Sequence, residues 1–539
     1  MSALKRKIFR GVGGGLIERL FMLRRIRIVF AALFFAAVTL LFLDFTGAAA
    51  AWFGWAAKVQ FLPALLGANL AVVAGLFLLT LLFGRIYCSV ICPLGVLQDV
   101  FSHAAGRRKR NRFAYAPAMT AVRLGFLAAF FALAALGLLS VASLAAPYSA
   151  YGRIASVLFA PAWALGNNAL AALSEAAGGY AFYPVEMRFG GIGIFLAAAA
   201  TFAVVGVLAW KGGRTYCNTV CPVGTVLGFF AKYSLFRPVI DASKCNSCGM
   251  CSRNCKSKCI DYKNHSIDYG RCVACFDCVG VCRKSAISYS PAIGGKRAFP
   301  KPRGSEKAAP PSGARAGFSA AENSKRAFSR KGRRGFFSAL FLFAGGAAAD
   351  AAEAMKVDGG LAPIRARRRP ERAFKISPPG SGGIANIAGK CTACQLCVSA
   401  CPSRVLVPSR SLSGFMQPEM TYENGYCSVE CVECSKVCPA GAILPISPEE
   451  KASTQIGRAV WAASRCVVNT DAMQCDNCFR QCPTGAIQMV AKDPKDPKSL
   501  KIPTVDVARC IGCGACENLC PARPVAAICV EGNPSHSRI

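Results

Sequence analysis

The sequence predicts a multi-domain chain: an α-helical membrane bundle of four spans joined to small α+β modules organised by cysteine. Three observations predict it. Long uncharged stretches crowd the first 230 or so residues. Thirty cysteines, far above ordinary usage, recur in short groups. A stretch rich in Pro, Gly, Ala, Ser and basic residues divides them. At 539 residues the chain exceeds one compact core. Hydrophobic residues are 53%, charged residues 17%, and mean hydropathy is +0.37. That balance excludes a disordered chain and disfavours a purely soluble one.

Residues 1–235 form the membrane part. Uncharged runs at 28–43, 59–84, 124–152 and 189–210 each supply the 17–25 residues a helix needs to cross a bilayer. The pattern predicts helices near 28–45, 64–83, 124–145 and 190–210. The run 154–174 contains Pro161, Asn167 and Asn168 and reads as interfacial or re-entrant rather than as a further span. Loop charge sets orientation. Residues 1–27 carry eight Lys/Arg and 85–123 carry seven, whereas 46–63 carry only Lys58. Both ends of the bundle are therefore expected inside the cell.

The bundle holds a repeat. Gly84-Arg85-Ile86-Tyr87-Cys88 through Cys92-Pro93-Leu94-Gly95 recurs as Gly213-Arg214-Thr215-Tyr216-Cys217 through Cys221-Pro222-Val223-Gly224. Two related helix hairpins, each ending in Cys-x-x-x-Cys-Pro, are expected to meet at one face. Cys88, Cys92, Cys217 and Cys221 are then candidates for a metal, a seventh cluster or a redox dithiol. Four unlinked membrane-edge thiols are the plain alternative.

Residues 236–290 form the first soluble module. Cys245, Cys248, Cys251 and Cys255 read C-x2-C-x2-C-x3-C, as do Cys272, Cys275, Cys278 and Cys282. Three thiolates in one tight loop reach three irons of a cubane, and the fourth reaches a neighbouring cluster. The expected sites are Cys245, Cys248, Cys251 with Cys282, and Cys272, Cys275, Cys278 with Cys255. Lys256 and Arg283 replace the usual following proline.

Residues 291–375 carry 19 Lys/Arg against six acids and read as a disordered linker. Within it, Arg333-Arg334-Gly335-Phe336-Phe337 precedes the short apolar Ser338–Ala349, a Tat-type signal pattern at an internal position. An ordinary basic linker beside a short helix is the alternative.

Residues 376–539 form the second soluble module. Its groups are Cys391, Cys394, Cys397, Cys401; Cys427, Cys431, Cys434, Cys438; Cys466, Cys475, Cys478, Cys482; and Cys510, Cys513, Cys516, Cys520. Pro402, Pro439, Pro483 and Pro521 follow the last member of each. Both modules therefore read as ferredoxin-like iron–sulfur domains, with six [4Fe-4S] clusters in all. Fourth cysteines are expected to exchange in pairs, adjacent or nested. Disulfides need an oxidising compartment, and zinc knuckles are spaced more widely. Cys259 and Cys529 fit no group and read as free thiols. His103, His265 and His536 read as surface residues.

The formal charge of +36 falls to about +24 once six clusters of roughly −2 each are counted. Basic loops beside apolar helices explain it better than nucleic acid does. No phosphate loop, dinucleotide fingerprint or nucleophile elbow stands out, so no separate substrate-converting site is expected. Quinone signals are weak and fall on Gln98, Asp99, Tyr87 and Tyr216.

Residues 20–290 resemble the NapH/MauN family through GRIYCSVICPLGVLQD, GRTYCNTVCP and the two ferredoxin motifs. Residues 330–525 resemble the NapG/MauM family through RRGFF, CTACQLCVSACP and CIGCGACENLCP. The whole looks like a fusion of the two. The resemblance implies a quinol dehydrogenase module that takes electrons from membrane quinol and passes them to a periplasmic reductase or cytochrome. Loop charge puts the first module in the cytoplasm and the Arg333-Arg334 signal puts the second in the periplasm; the membrane that the resemblance implies is the bacterial inner membrane. Paired Cys-x-x-x-Cys-Pro elements also resemble copper-reducing and nitrous-oxide-reductase-supporting polyferredoxins, so a reductive maturation or regulatory role is the rival expectation.

Overall fold

The computed structural model describes residues 14–44, 46–106, 113–185, 191–291, 357–358, 362–363, 367–411, 414–496 and 499–539. The signal-like segment and most of the linker lie outside these residues. Two units separate, one holding the helices and both cysteine modules and the other the linker region. All thirty cysteines belong to the first unit.

Among the described residues the bundle's helices include α1 (Gly14–Leu43), α2 (Leu70–Phe83), α3 (Pro93–Gly106), α4 (Thr120–Ala135), α5 (Pro147–Ala176), α6 (Ile192–Gly212) and α7 (Pro222–Ala231). Three contain spans long and apolar enough to cross a membrane: Met22–Leu43 in α1, α5 and α6. Two of the four expected spans are among them. The expected helix 64–83 is broken at Gly67–Asn69, where Ala68 takes φ 53° and Asn69 caps α2 through the Val72 amide. The expected helix 124–145 stops at Ala135, and Gly137 follows at φ 75°.

The run read as interfacial is instead part of α5, which is 30 residues long. Its first turn begins at Pro147, a residue pre-set for helix entry. A π turn, Ala155–Phe159, lies immediately before Pro161 and absorbs the hydrogen bond that proline cannot make. Asn167 and Asn168 donate to the Tyr183 and Val185 carbonyls beyond the helix, so neither interrupts it.

Both copies of the repeat start where a helix stops. Gly84 ends α2 at φ 74° and Gly213 ends α6 at φ 69°. A side chain at 213 would also strike the Lys256 carbonyl. Pro93 and Pro222 then open α3 and α7.

The cysteine modules contain little regular structure. In the first, β1 (Phe236–Ile240) pairs antiparallel with β2 (Ile287–Pro291), Ile240 facing Ile287. In the second, β3 (Thr454–Trp461) pairs with β6 (Ile528–Arg538), and β4 (Ile487–Ala491) with β5 (Lys501–Val505). Short helices of four or five residues begin beside the cysteine loops. One hydrophobic core runs from the bundle into the second module, joining Phe42, Tyr87 and Tyr148 to Ile387, Leu396 and Tyr422.

Candidate iron–sulfur centres

The two Cys-x-x-x-Cys elements meet. Cys88, Cys92, Cys217 and Cys221 are buried and lie within electrostatic reach of one another. Cys221 also caps α7, its sulfur accepting the Gly224 amide at 3.2 Å.

The repeats clasp each other through their arginines. Arg85 donates to the Cys217 carbonyl at 3.0 Å, and Arg214 donates to the Cys88 carbonyl at 2.7 Å. Both guanidinium groups are wholly buried. Gly95 and Gly224 leave room for the arginine of the opposite repeat; a Cβ on either would stand 2.6–2.7 Å from that guanidinium.

Charge around this centre is unbalanced. Asp99 accepts Arg214 Nε at 3.0 Å and pairs with Arg27 at 3.1 Å and Lys256 at 3.3 Å. Lys256 also pairs with Asp277 at 2.9 Å, as does Arg24 at 2.8 Å. Burial pushes the Asp277 carboxyl up, but Lys256 and Arg24 more than reverse this and hold it below the usual carboxylate range. Among the described residues Arg85 faces no carboxylate: its bonds go to Asn218 Oδ1, the Gly270 and Cys217 carbonyls and Cys88 Sγ. A buried unpaired cation is costly, and an anionic thiolate centre would offset it.

The residues flagged for quinone serve this architecture. Gln98 donates to Cys217 Sγ at 3.2 Å, Tyr87 donates to Gln60 at 3.0 Å, and Tyr216 donates to the Ala145 carbonyl at 2.9 Å. Asp99 is the ion-pair hub. Lys256, which stands where proline was expected, is one bridge between bundle and first module.

In the first module, Cys251 lies beside Cys245 and Cys282, while Cys278 lies beside Cys272, Cys275 and Cys255. Cys282 thus stands beside the first group's loop and Cys255 beside the second's, with Cys248 in the same loop as Cys245 and Cys251. In the second module pairing is adjacent. Cys397 meets Cys391, Cys394 and Cys438; Cys434 meets Cys427, Cys431 and Cys401. Cys478 meets Cys466, Cys475 and Cys520; Cys516 meets Cys510, Cys513 and Cys482.

The thiols fit polynuclear iron. Cys401, Cys427, Cys431 and Cys434 line one cavity, and Cys482, Cys510, Cys513 and Cys516 line another. Among the described residues no three His, Cys, Asp or Glu side chains close around a single ion. Burial pushes Cys251 up to about 11 and Cys434 up to about 12. Iron taking the proton's place would relieve that penalty.

Backbone conformation adds a signal that cysteine spacing does not carry. In four of the six groups the residues flanking the second cysteine take left-handed φ: Ser247 and Gly249, Ala274 and Phe276, Ala393 and Gln395, Gly512 and Gly514. Alternating handedness turns successive N–H groups inward, as in an anion-binding nest. Only Gly249, Gly512 and Gly514 are glycines. The other positions hold side-chain-bearing residues that rarely adopt this conformation, so propensity could not single them out.

Cys259, read as a free thiol, is buried and stands 3.5 Å from Cys255, sulfur to sulfur. Cys529 joins no group and donates to the Ala526 carbonyl. His103 is exposed, but His536 is half-buried and bonded to Ser377 at 2.8 Å.

Residues 65–112 and 193–241 match the family described as "4Fe-4S binding domain", which covers both Cys-x-x-x-Cys elements. Residues 390–442 and 473–523 match the family described as "4Fe-4S dicluster domain". Ferredoxin-type protein NapG of Escherichia coli is 31% identical over 204 residues, 36% of this chain and 84% of that protein. The chain belongs, over about that third of its length, to the NapG family of ferredoxin-type proteins. It is an iron–sulfur electron-transfer protein. An uncharacterized protein of Methanocaldococcus jannaschii, MJ0749, is 41% identical over 76 residues, of which the chain spans 30%. Regulatory protein NosR of Stutzerimonas stutzeri is 23% identical over 204 residues, 23% of its length. No solved structure matches.

Proposed function

We propose that this chain carries electrons across a bacterial inner membrane, from quinol to a periplasmic reductase or cytochrome, through six [4Fe-4S] clusters and a further centre at Cys88, Cys92, Cys217 and Cys221. One observation carries the reading. The two cysteine modules pack toward opposite ends of the Met22–Leu43 span of α1. Arg24 pairs with Asp277 of the first module. Phe42 meets Tyr148 at 6.2 Å between ring centres, and Gly152, on the same helix as Tyr148, touches the Cys394 carbonyl of the second. At 1.5 Å per residue these contacts stand about 27 Å apart along α1, close to a bilayer's hydrocarbon thickness.

A single electron hop over such a distance is slow, because tunnelling falls exponentially with separation. The four-cysteine centre lies on the way. Arg85 of its clasp touches Gly270 of the first module, and Tyr216 beside Cys221 bonds to Ala145 next to α5. Wholly buried Arg153 of α5 faces both Tyr216 and Cys394. The clusters supply reversible one-electron chemistry when bound. The protein's part is to hold them apart at fixed spacing, exclude water and set potentials by nearby charge.

In this reading the chain joins a NapH-type membrane part to a NapG-type module, and the Arg333-Arg334 segment directs the second module outward. The test uses the full chain in liposomes, with quinol on the membrane and cluster reduction followed by electron paramagnetic resonance. Reduction of C-terminal clusters by quinol, abolished in a Cys88→Ser, Cys217→Ser chain, is expected. Quinol reduction unchanged by that double substitution would remove the central relay. The likeness to NosR favours a second reading, a regulatory or maturation polyferredoxin; a co-purifying metalloenzyme whose metal content depends on this chain would select it.

A further inference from the structure

The inner site of the first module has more thiols than a cubane needs. Cys255, Cys259, Cys272, Cys275 and Cys278 all line one cavity. A [4Fe-4S] core takes one thiolate per iron, four in all. Cys259 is not a bystander at the rim. Its residue is 1% exposed, its sulfur stands 3.5 Å from that of Cys255, and it also faces Cys272.

Local structure explains why both can reach. Cys255 ends a short helical turn, its amide bonded to the Ser252 carbonyl. Three residues of connection bring Cys259 back alongside it, at the entry to the Ile260–Asp261 strand of a small hairpin. Asp268 fixes the Cys259 carbonyl through its amide at 2.9 Å. Neither sulfur needs a change of fold to exchange places with the other.

We propose that Cys259 is an interchangeable fourth ligand of this cluster, trading places with Cys255. The exchange rests on the proposed reading that Cys272, Cys275 and Cys278 hold a [4Fe-4S] core. It is balanced and involves no oxidant: the Fe–Sγ bond to Cys255 breaks, the Fe–Sγ bond to Cys259 forms, and the Cys259 thiol proton passes to the released Cys255 thiolate. The site adjoins the clasp, since the Gly270 carbonyl two residues before Cys272 accepts Arg85. A ligand change here would alter a cluster beside the bundle.

The test is iron content and reduced-state paramagnetic resonance on the full anaerobic chain. Cys255→Ala and Cys259→Ala are each expected to keep the wild-type iron count, with shifted spectra for one cluster. The pair together should lose about four irons, one cubane's worth. Loss of a cubane's iron from either single variant overturns the exchange, because one cysteine would then be the sole ligand. Retention by the double variant overturns it too. If Cys255→Ala is not recovered from membranes, Cys255→Ser is read by the same count. Cys272→Ala separates the two ideas: an iron count unchanged there defeats the underlying cluster reading, not the exchange alone.

Discussion

At the scale of single residues, the cysteine loops depend on backbone handedness as much as on sulfur. Gly514 takes φ 81°, and a Cβ there would strike the Tyr422 ring. Gly514→Ala is expected to destabilise the second module by roughly 2–4 kcal/mol, from strain and overpacking together. Thermal loss of cluster absorbance measures it. Ala393→Gly, at φ 52°, should leave that midpoint unchanged or raise it, since glycine accepts this conformation freely. His536 gives a pH dependence. Burial holds it at about 4, below its unfolded value, so it is neutral in the folded chain at neutral pH. Its contribution is fully present above about 6.5 and is lost as pH falls toward about 4. Unfolding by denaturant at stepped pH should show that loss flattened in His536→Gln.

At the scale of elements, much of the pattern was legible. The repeat GR-x-Y-C announced two matching hairpins, and the hairpins do converge. Cysteine spacing marked the groups, and their cross-over follows from loop length. Partnership across the chain was not legible. Nothing local marks Lys256 as the bridge between Asp99 and Asp277, nor Arg85 as the partner of a carbonyl in the other repeat. Pro161 misled because the π turn that accommodates it leaves no compositional trace. Short helices α2 and α4 departed from expectation because hydropathy does not register a break at Gly67–Asn69 or an early stop at Ala135. The Asp99 hub should matter to docking of the first module. Asp99→Asn leaves Arg27, Arg214 and Lys256 without that carboxylate, at a cost of about 3–5 kcal/mol for a broken buried pair. Limited proteolysis of the first module in membranes should become faster; an unchanged rate would mean that the hub does not hold it.

At the scale of the whole molecule, six cysteine groups imply about 24 irons from cubanes, before any iron at the central four cysteines. Iron and acid-labile sulfide analysis on anaerobically purified chain checks this. A reproducible value of about eight irons, two cubanes' worth, with zinc filling the remainder, would refute the assignment of the second module. Sidedness is tested separately. In spheroplasts, protease should reach the second module of the wild-type chain but not of Arg333→Lys with Arg334→Lys. Protection in both would place that module on the inner side.

The arginine clasp also imposes an order on biosynthesis. Arg85 and Cys217 are 132 residues apart, and Arg214 and Cys88 are 126 apart. At ribosomal speeds of about 5–20 residues per second, the first hairpin waits roughly ten seconds for the second. During that interval one guanidinium and two thiols lack their counterparts. The nascent hairpin is thus an unfinished half-vessel, and delivery of any cofactor to the central cysteines must wait until the second hairpin has been made.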